Sequence, residues 1–330
     1  MSSARSRASG ETIEPRRIVH EDLLLHAHGD VYHPRLLDFD LRTDVKFHNG
    51  AMMDADDVVY IANWAADPEV KFRYKGRFDD GWDAIRERTL ARQKELGIVP
   101  PDTKLVPLAP GIPAWNTLTD VQKKVFARMM EVYAGFLEQT DHNAGRVIDA
   151  IEAAGELDNT LVLYVVGDNG ASAEGSPQGL LNEMTFFNGV KEDLATVLAR
   201  VDDIGSWKTY NHYPIGWAHA MCTPFQWTKQ IASHYGGTRN GLVVSWPKRI
   251  KEHGAIRSQF GHLIDIAPTI YEAVGIKPPD TVDGVAQSAL DGSSLLATFS
   301  DANAPSPRRE QYFEMQGTRG YYKDGWFAGT

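Results

Sequence analysis

A layered α/β fold with a mostly parallel central sheet is what this 330-residue sequence predicts, and three observations predict it. Leu161-Val162-Leu163-Tyr164-Val165-Val166 is an unbroken apolar run of strand length, the pattern of a strand covered on both faces. Leu242-Val243-Val244-Ser245-Trp246 is a second such run. Segments with one apolar helical face alternate with these runs, the sequence order of stacked helix and sheet layers.

In chain order, residues 1–71 read differently from the rest. Phe39-Asp40-Leu41-Arg42-Thr43-Asp44-Val45-Lys46-Phe47-His48-Asn49-Gly50 predicts a short strand entering an Asn-Gly turn. A helix follows with Asp54 as N-cap and Val58, Ile61, Ala62 and Ala65 on its apolar face. Over Phe39 to Pro68 this segment resembles a signature of the solute-binding proteins of peptide transporters. It is therefore expected to be a separate N-terminal segment, 1–71, preceding a second domain over 72–330.

From Tyr74 onward the pattern is of alternating layers. A helix is predicted from Asp83 to Leu96, ended by Gly97, and a proline-rich connector through Pro113 follows. Thr119 and Gln122 form a capping box for a long helix whose Val125, Met129, Val132 and Phe136 recur on one stripe. Asp141 and His142 fall within this helix and are expected to serve packing, and Gly155 stops it. The strand Leu161–Val166 comes next, then Leu242–Trp246, then a helix from Ile266 to Val274 with Asp265 as its cap. Gln311-Tyr312-Phe313-Glu314-Met315 predicts a late strand.

Composition excludes several classes. The net charge of −10 and the lack of a Lys/Arg cluster argue against nucleic acid as a partner. No apolar run is long enough for a transmembrane segment. Met1 to Gly10 is polar and Ser/Arg-rich, so no secretory signal is read there and the cytoplasm is the default expectation. A single cysteine, Cys222, excludes an internal disulfide and a Cys-based zinc site.

Chemistry concentrates after the first strand run, at Gly167-Asp168-Asn169-Gly170. Ligands in open α/β sheets sit beyond the carboxyl ends of strands, and a carboxylate with an amide carbonyl suits a hard cation such as Ca²⁺. The same four residues also suit a plain strand-ending turn. Downstream stand Glu183, Tyr210-Asn211-His212-Tyr213-Pro214-Ile215-Gly216-Trp217-Ala218 and Cys222-Thr223-Pro224-Phe225-Gln226-Trp227-Thr228-Lys229. His234-Tyr235-Gly236-Gly237-Thr238-Arg239, Val244-Ser245-Trp246-Pro247 and His262-Leu263-Ile264-Asp265-Ile266-Ala267-Pro268-Thr269-Ile270 complete the series.

In this order and spacing the series resembles bacterial arylsulfatases of the alkaline-phosphatase superfamily, from about Tyr74 to the C-terminus. The resemblance implies an alkaline-phosphatase-like α/β sandwich, incomplete at both ends, and Ca²⁺-assisted hydrolysis of a small-molecule sulfate ester through a formylglycine. It implies that Asp168 and Asn169 are metal ligands in one incomplete Ca²⁺ site, and that Lys229 is a catalytic and substrate-binding residue contacting the sulfate. Thr223, Pro224 and Gln226 predict a short helix that would carry Lys229 on its second turn. His212 and His219 are candidates for the pocket wall, His212 as a substrate contact, beside the alternative of hydrogen-bonded structural histidines.

That family makes its nucleophile from a Cys/Ser-x-Pro-x-Arg motif placed well before the Asp-Asn pair, and no such motif stands upstream of Tyr74. Cys222-Thr223-Pro224-Phe225-Gln226 approaches it but ends in Gln226 and is expected to hold a partly buried structural thiol. No nucleophile is identified, so the 330-residue chain is expected to be impaired or inactive. Two alternatives stay open: a non-catalytic sulfate- and cation-binding relative, and a phosphate-ester hydrolase. Asn169 favours sulfate, because the phosphate-cleaving members resemble one another in placing His there for zinc or manganese.

Overall fold

The computed structural model describes residues 73–206 and 208–330, together with the backbone of two short antiparallel strands, Arg16–Arg17 and Asp40–Leu41. The helix expected after Asp54, and most of the Phe39–Pro68 segment, lie outside the described residues. The chain divides into two compact units. One comprises residues 1–85, 110–156 and 173–217; the other comprises 86–109, 157–172 and 218–330.

The first unit is organised around tryptophans. Helix α1, Gly81–Glu95, begins in it and carries Trp82 at 1% exposure. Trp82 packs edge-on against Trp115 at 4.8 Å and Trp217 at 5.6 Å between ring centroids, and stacks on Phe126 at 6.0 Å. Each indole N–H in this group reaches a carbonyl: Trp82 donates to Pro113, Trp115 to Asp79 and Trp217 to Phe126. Large aromatic area is thus buried without orphaning a donor. The 34-residue helix α2, Asp120–Ala153, starts at the predicted capping box. The Thr119 amide donates to Gln122 Oε1 at 2.9 Å, and the Gln122 amide donates to Thr119 Oγ1 at 3.3 Å. Its predicted stripe is buried at Val125 and Met129 but emerges at Phe136, which is 60% exposed. Asp141 and His142 are exposed, so they do not serve packing as expected.

The second unit contains β1, Val162–Val165, and β2, Leu242–Ser245, which pair as neighbours with Val165 opposite Leu242 and Val162 opposite Ser245. This corrects the predicted sheet: the pair is antiparallel, and β2 is largely exposed. An apolar run specifies a strand but not its direction. Direction follows from the chain's return, and the Val166 amide donating to the Gly241 carbonyl shows that β2 starts beside the end of β1. Helix α4, named after the short α3 (Ile215–Met221) that precedes it, spans Ile266–Val274. Its Ile270 and Val274 line a shallow groove with Leu161, Leu163 and Trp246.

Strands β3 (Glu310–Met315), β4 (Thr318–Lys323) and β5 (Trp326–Gly329) form an antiparallel sheet, matching the predicted late strand. Phe260 stacks on Tyr322 at 3.7 Å. Asp265, fully buried, is not the simple cap expected for α4. Its carboxylate accepts from Arg308 at 2.6 Å and from the amides of Ser293 and His262 at 2.7 and 2.8 Å. Among the described residues no helix is long and apolar enough to cross a membrane.

Candidate functional site

The strand-end loop is built by close backbone approach. At Gly170 a Cβ would stand 1.8 Å from the Gly236 carbonyl oxygen, so only glycine admits the contact. The Gly170 amide donates to the Gly237 carbonyl at 3.0 Å, and the Lys229 amide donates to the Ala171 carbonyl at 3.0 Å. Asn240 Nδ2 also donates to the Asn169 carbonyl. The loop carrying Asp168 and Asn169 is therefore clasped to the Thr228–Asn240 segment. That segment is braced from its other side, where the Ala232 amide donates to Thr318 Oγ1 at 2.9 Å and a Cβ on Gly320 would meet the Ala232 carbonyl at 2.4 Å.

Asp168 is exposed and Asn169 half-buried, and Asn169 Nδ2 donates to Asp168 Oδ1 at 2.7 Å. Their side chains offer carboxylate and amide oxygens at one strand end. These suit a hard divalent cation in kind, while two side chains supply only part of the six to eight oxygens that Ca²⁺ takes.

Lys229 is half-buried in a turn, which corrects the predicted helix. Thr223 Oγ1 donates backward to the Ala220 carbonyl at 2.6 Å, finishing α3 instead of capping a new helix. Trp227 and Gln230 then take φ values of 69° and 73°, outside the helical region. What fixes Lys229 is its backbone bond to Ala171, so the residue stays beside the Asp168 loop for a different reason than the sequence suggested.

Two segments come near the nucleophile motif, and neither has its setting. Cys222 is buried, and its Sγ accepts from the Ala171 amide at 3.4 Å; burial raises its thiol pKa, the opposite of an activated thiolate. Ser245-Trp246-Pro247-Lys248-Arg249 satisfies Ser-x-Pro-x-Arg in full, downstream of the Asp-Asn pair and not before it. Ser245 pairs with Val162, at the end of the ladder remote from Asp168. The three steps from Val162 to Val165 alone, before the loop that carries Asp168, are about 10 Å of strand.

In the first unit the structure assembles residues that no local spacing signals. Glu174, Glu183 and His212 each direct a ligand-type atom to within 4.8 Å of the others. Glu174 and His212 are buried at 4% and 7% exposure, and Glu183 is half-buried. His212, expected as a substrate contact, is one of the three. His219, in the second unit, is fully buried, and neither ring nitrogen is hydrogen-bonded among the described residues. Burial, then the charge of Arg86, lowers its pKa to about 4 and keeps it neutral.

The sequence model of the family described as "Sulfatase" matches residues 61–276. An uncharacterised sulfatase of Schizosaccharomyces pombe is 33% identical over 208 residues, which is 63% of this chain and 36% of that protein. An arylsulfatase of Klebsiella aerogenes is 29% identical over 245 residues, 74% of this chain and 49% of that one. The chain thus spans half or less of the length of these relatives. A crystal structure described as Ps i-CgsB in complex with k-i-k-neocarrahexaose aligns over 76% of this chain and 46% of that one, at 17% identity and a TM-score of 0.38.

Proposed function

The chain belongs to the sulfatase family, with the alkaline-phosphatase-like α/β fold that membership carries, and on that premise we propose that its chemistry is the hydrolysis of sulfate esters. The observation that carries the reading is the clasp of Gly170 and Ala171 against Gly237 and Lys229. It holds the backbone of Lys229 beside the loop that carries the strand-end oxygen donors, which supports the reading.

In this reading Asp168 and Asn169 hold a Ca²⁺ ion as part of a shell completed by further ligands. When bound, the ion offsets the negative charge of the sulfate. Lys229 contacts the sulfate and stabilises charge developing on the leaving oxygen as the S–O bond breaks. Aryl esters are the substrate class the Klebsiella relative's name suggests. Asn169 favours sulfate over phosphate, since it offers an oxygen where imidazole would select zinc or manganese. The division at about residue 72, with a separate N-terminal segment resembling solute-binding proteins, belongs to the same proposal. The substrate contact expected of His212 gives way in our reading to a ligand role, argued below.

Covalent catalysis needs an activated nucleophile, and neither Cys222 nor Ser245 has the surroundings of one. The purified 330-residue chain should therefore turn over a chromogenic aryl sulfate, with Ca²⁺ added, at no more than the background rate. Turnover abolished by Cys222→Ala, with the mass loss of thiol-to-aldehyde conversion, would overturn the assignment of Cys222 as structural. Turnover insensitive to Cys222 but lost in Ser245→Ala would do the same for Ser245. Turnover of the aryl phosphate alone would refute the sulfate reading.

A further inference from the structure

We propose that Glu174, Glu183 and His212 form a second divalent-metal site, one that takes a transition dication of the Zn²⁺ or Mn²⁺ type and not Ca²⁺. The inference does not rest on the proposed sulfatase chemistry, because all three residues lie within the first unit and its geometry is self-contained.

The backbone sets the three side chains in register. The Leu180 amide donates to the His212 carbonyl, and the His212 amide donates to the Leu180 carbonyl, both at 2.9 Å. The Glu183 amide donates to the Tyr210 carbonyl at 2.8 Å, and the Tyr210 amide to the Leu181 carbonyl at 3.0 Å. Residues 180–183 and 210–212 are thus held as a short ladder. Glu192 tightens one side of it by accepting from the amides of Leu181 and Asn182 at 2.6 and 3.1 Å. Glu174 enters by close contact. A Cβ on its neighbour Gly175 would lie 1.8 Å from the Tyr213 carbonyl and 2.5 Å from His212 Nδ1, so this backbone lies directly on the histidine. The Ile215 amide donating to the Ser176 carbonyl at 2.8 Å closes the same contact.

The ring of His212 is oriented as a ligand. Its Nδ1 lies 2.8 Å from the Tyr213 carbonyl oxygen, which can only accept, so Nδ1 carries the proton. In the neutral ring Nε2 then bears the lone pair. A histidine whose second nitrogen donates to a backbone carbonyl is the usual arrangement around a metal-bound imidazole. Two carboxylates and one imidazole, with one open position, match three-ligand zinc sites in donor type. Ligands about 2.1 Å from one ion stand roughly 3.4 Å apart in a tetrahedral site, against separations here of up to 4.8 Å. Glu183, the half-buried member, has the freedom to close that gap of about 1.4 Å and gives the ion a route in. Nitrogen in the set selects against Ca²⁺ and Mg²⁺, which take oxygen.

The test is calorimetric titration of the full chain, stripped with chelator and free of any histidine tag, using Zn²⁺ and then Mn²⁺. The His20, His26, His28 and His33 stretch will add its own weak binding, so the readout is the equivalent that disappears in a variant. Wild type should show one equivalent that Glu183→Gln and Glu174→Gln each weaken by roughly 100-fold or more, since losing even an outer-sphere partner costs about 10–100-fold. Asp168→Ala should leave that equivalent unchanged, and millimolar Ca²⁺ should not displace it. Unchanged circular dichroism in Glu183→Gln separates ligand loss from misfolding; if Glu174→Gln misfolds, Glu183→Gln alone decides. Identical titrations of wild type and a folded Glu183→Gln would mean the cluster is a metal-free ion triad, and displacement by Ca²⁺ would mean it is an oxygen-type site. Either result overturns the proposal.

Discussion

Adding one methyl group at Gly170 tests whether the strand-end loop and the Lys229 segment are held by backbone contact. In Gly170→Ala the new Cβ would sit 1.8 Å from the Gly236 carbonyl oxygen and 2.8 Å from its carbon, and backbone atoms cannot swing aside as a side chain can. Overpacking of this kind costs about 1–3 kcal/mol. Separating the two segments also weakens the bond from the Gly170 amide to the Gly237 carbonyl, worth about 0.5–1.5 kcal/mol net. The sum is about 1.5–4.5 kcal/mol. Gly145 provides the control: it lies in α2, and a Cβ there would meet nothing within 4 Å. Gly145→Ala should stabilise by about 0.5–1 kcal/mol through backbone entropy alone. The two alanine variants should therefore differ by at least about 2 kcal/mol. With a urea slope of roughly 3 kcal/mol/M that is about 0.7 M in the unfolding midpoint. Tryptophan fluorescence reads the transition. A Gly170→Ala midpoint indistinguishable from wild type would show that the segments are not in contact and would remove the geometric basis for pairing Asp168 with Lys229.

Other perturbations probe the second unit. Arg308→Ala strands the buried Asp265 carboxylate and should cost about 3–5 kcal/mol in urea unfolding. Burial works to raise the Asp265 pKa, but the Arg308 hydrogen bond and the Ser293 and His262 amides outweigh it and hold the carboxyl below the usual carboxylate range. Its stabilisation is thus complete above the unfolded pKa of about 3.9 and drains as pH falls through the folded value. A chain as stable at pH 2.5 as at pH 6 would contradict this. His219 has the opposite charge change and acts at higher pH. Its folded pKa of about 4 lies below the unfolded value near 6.5, so the unfolded state takes up a proton first as pH falls. Stability should be full above pH 6.5 and fall by up to about 3 kcal/mol between there and pH 4. His219→Leu should flatten that limb of a stability-versus-pH curve, and an unchanged limb would show that His219 does not titrate as described.

Legibility from the sequence followed the range of the interaction. The Thr119–Gln122 capping box, the Gly155 stop and the strand Glu310–Met315 depend on residues a few positions apart, and each was read correctly. The strand runs were read as strands but not as an antiparallel pair, because direction depends on where residues 166 and 241 meet across seventy-odd positions. The Thr223-Pro224-x-Gln226 pattern fits a helix start, yet the Thr223 hydroxyl serves the preceding helix instead, a choice that local pattern cannot decide. Asp168, Asn169 and Lys229 were singled out by resemblance, and the backbone does bring their segments together. Glu174, Glu183 and His212 carry no ligand spacing at all and become a group only once the 180–183 and 210–212 segments pair.

Donor chemistry makes the two proposed cation sites separable. Asp168 and Asn169 present oxygen only, from an exposed strand end, to a cation that tolerates irregular shells. Glu174, Glu183 and His212 add a nitrogen whose lone pair is oriented by the Tyr213 carbonyl. That nitrogen selects a transition dication over Ca²⁺, so the two sites should fill independently of each other. A Zn²⁺ titration repeated in millimolar Ca²⁺ therefore sorts the sites without any mutation. Zn²⁺ binding that is unchanged there belongs to the histidine cluster. Ca²⁺ binding that survives saturation with Zn²⁺, however weak, belongs to the strand end. Mutual displacement would mean that the cations share one set of ligands and that the division by donor type is wrong.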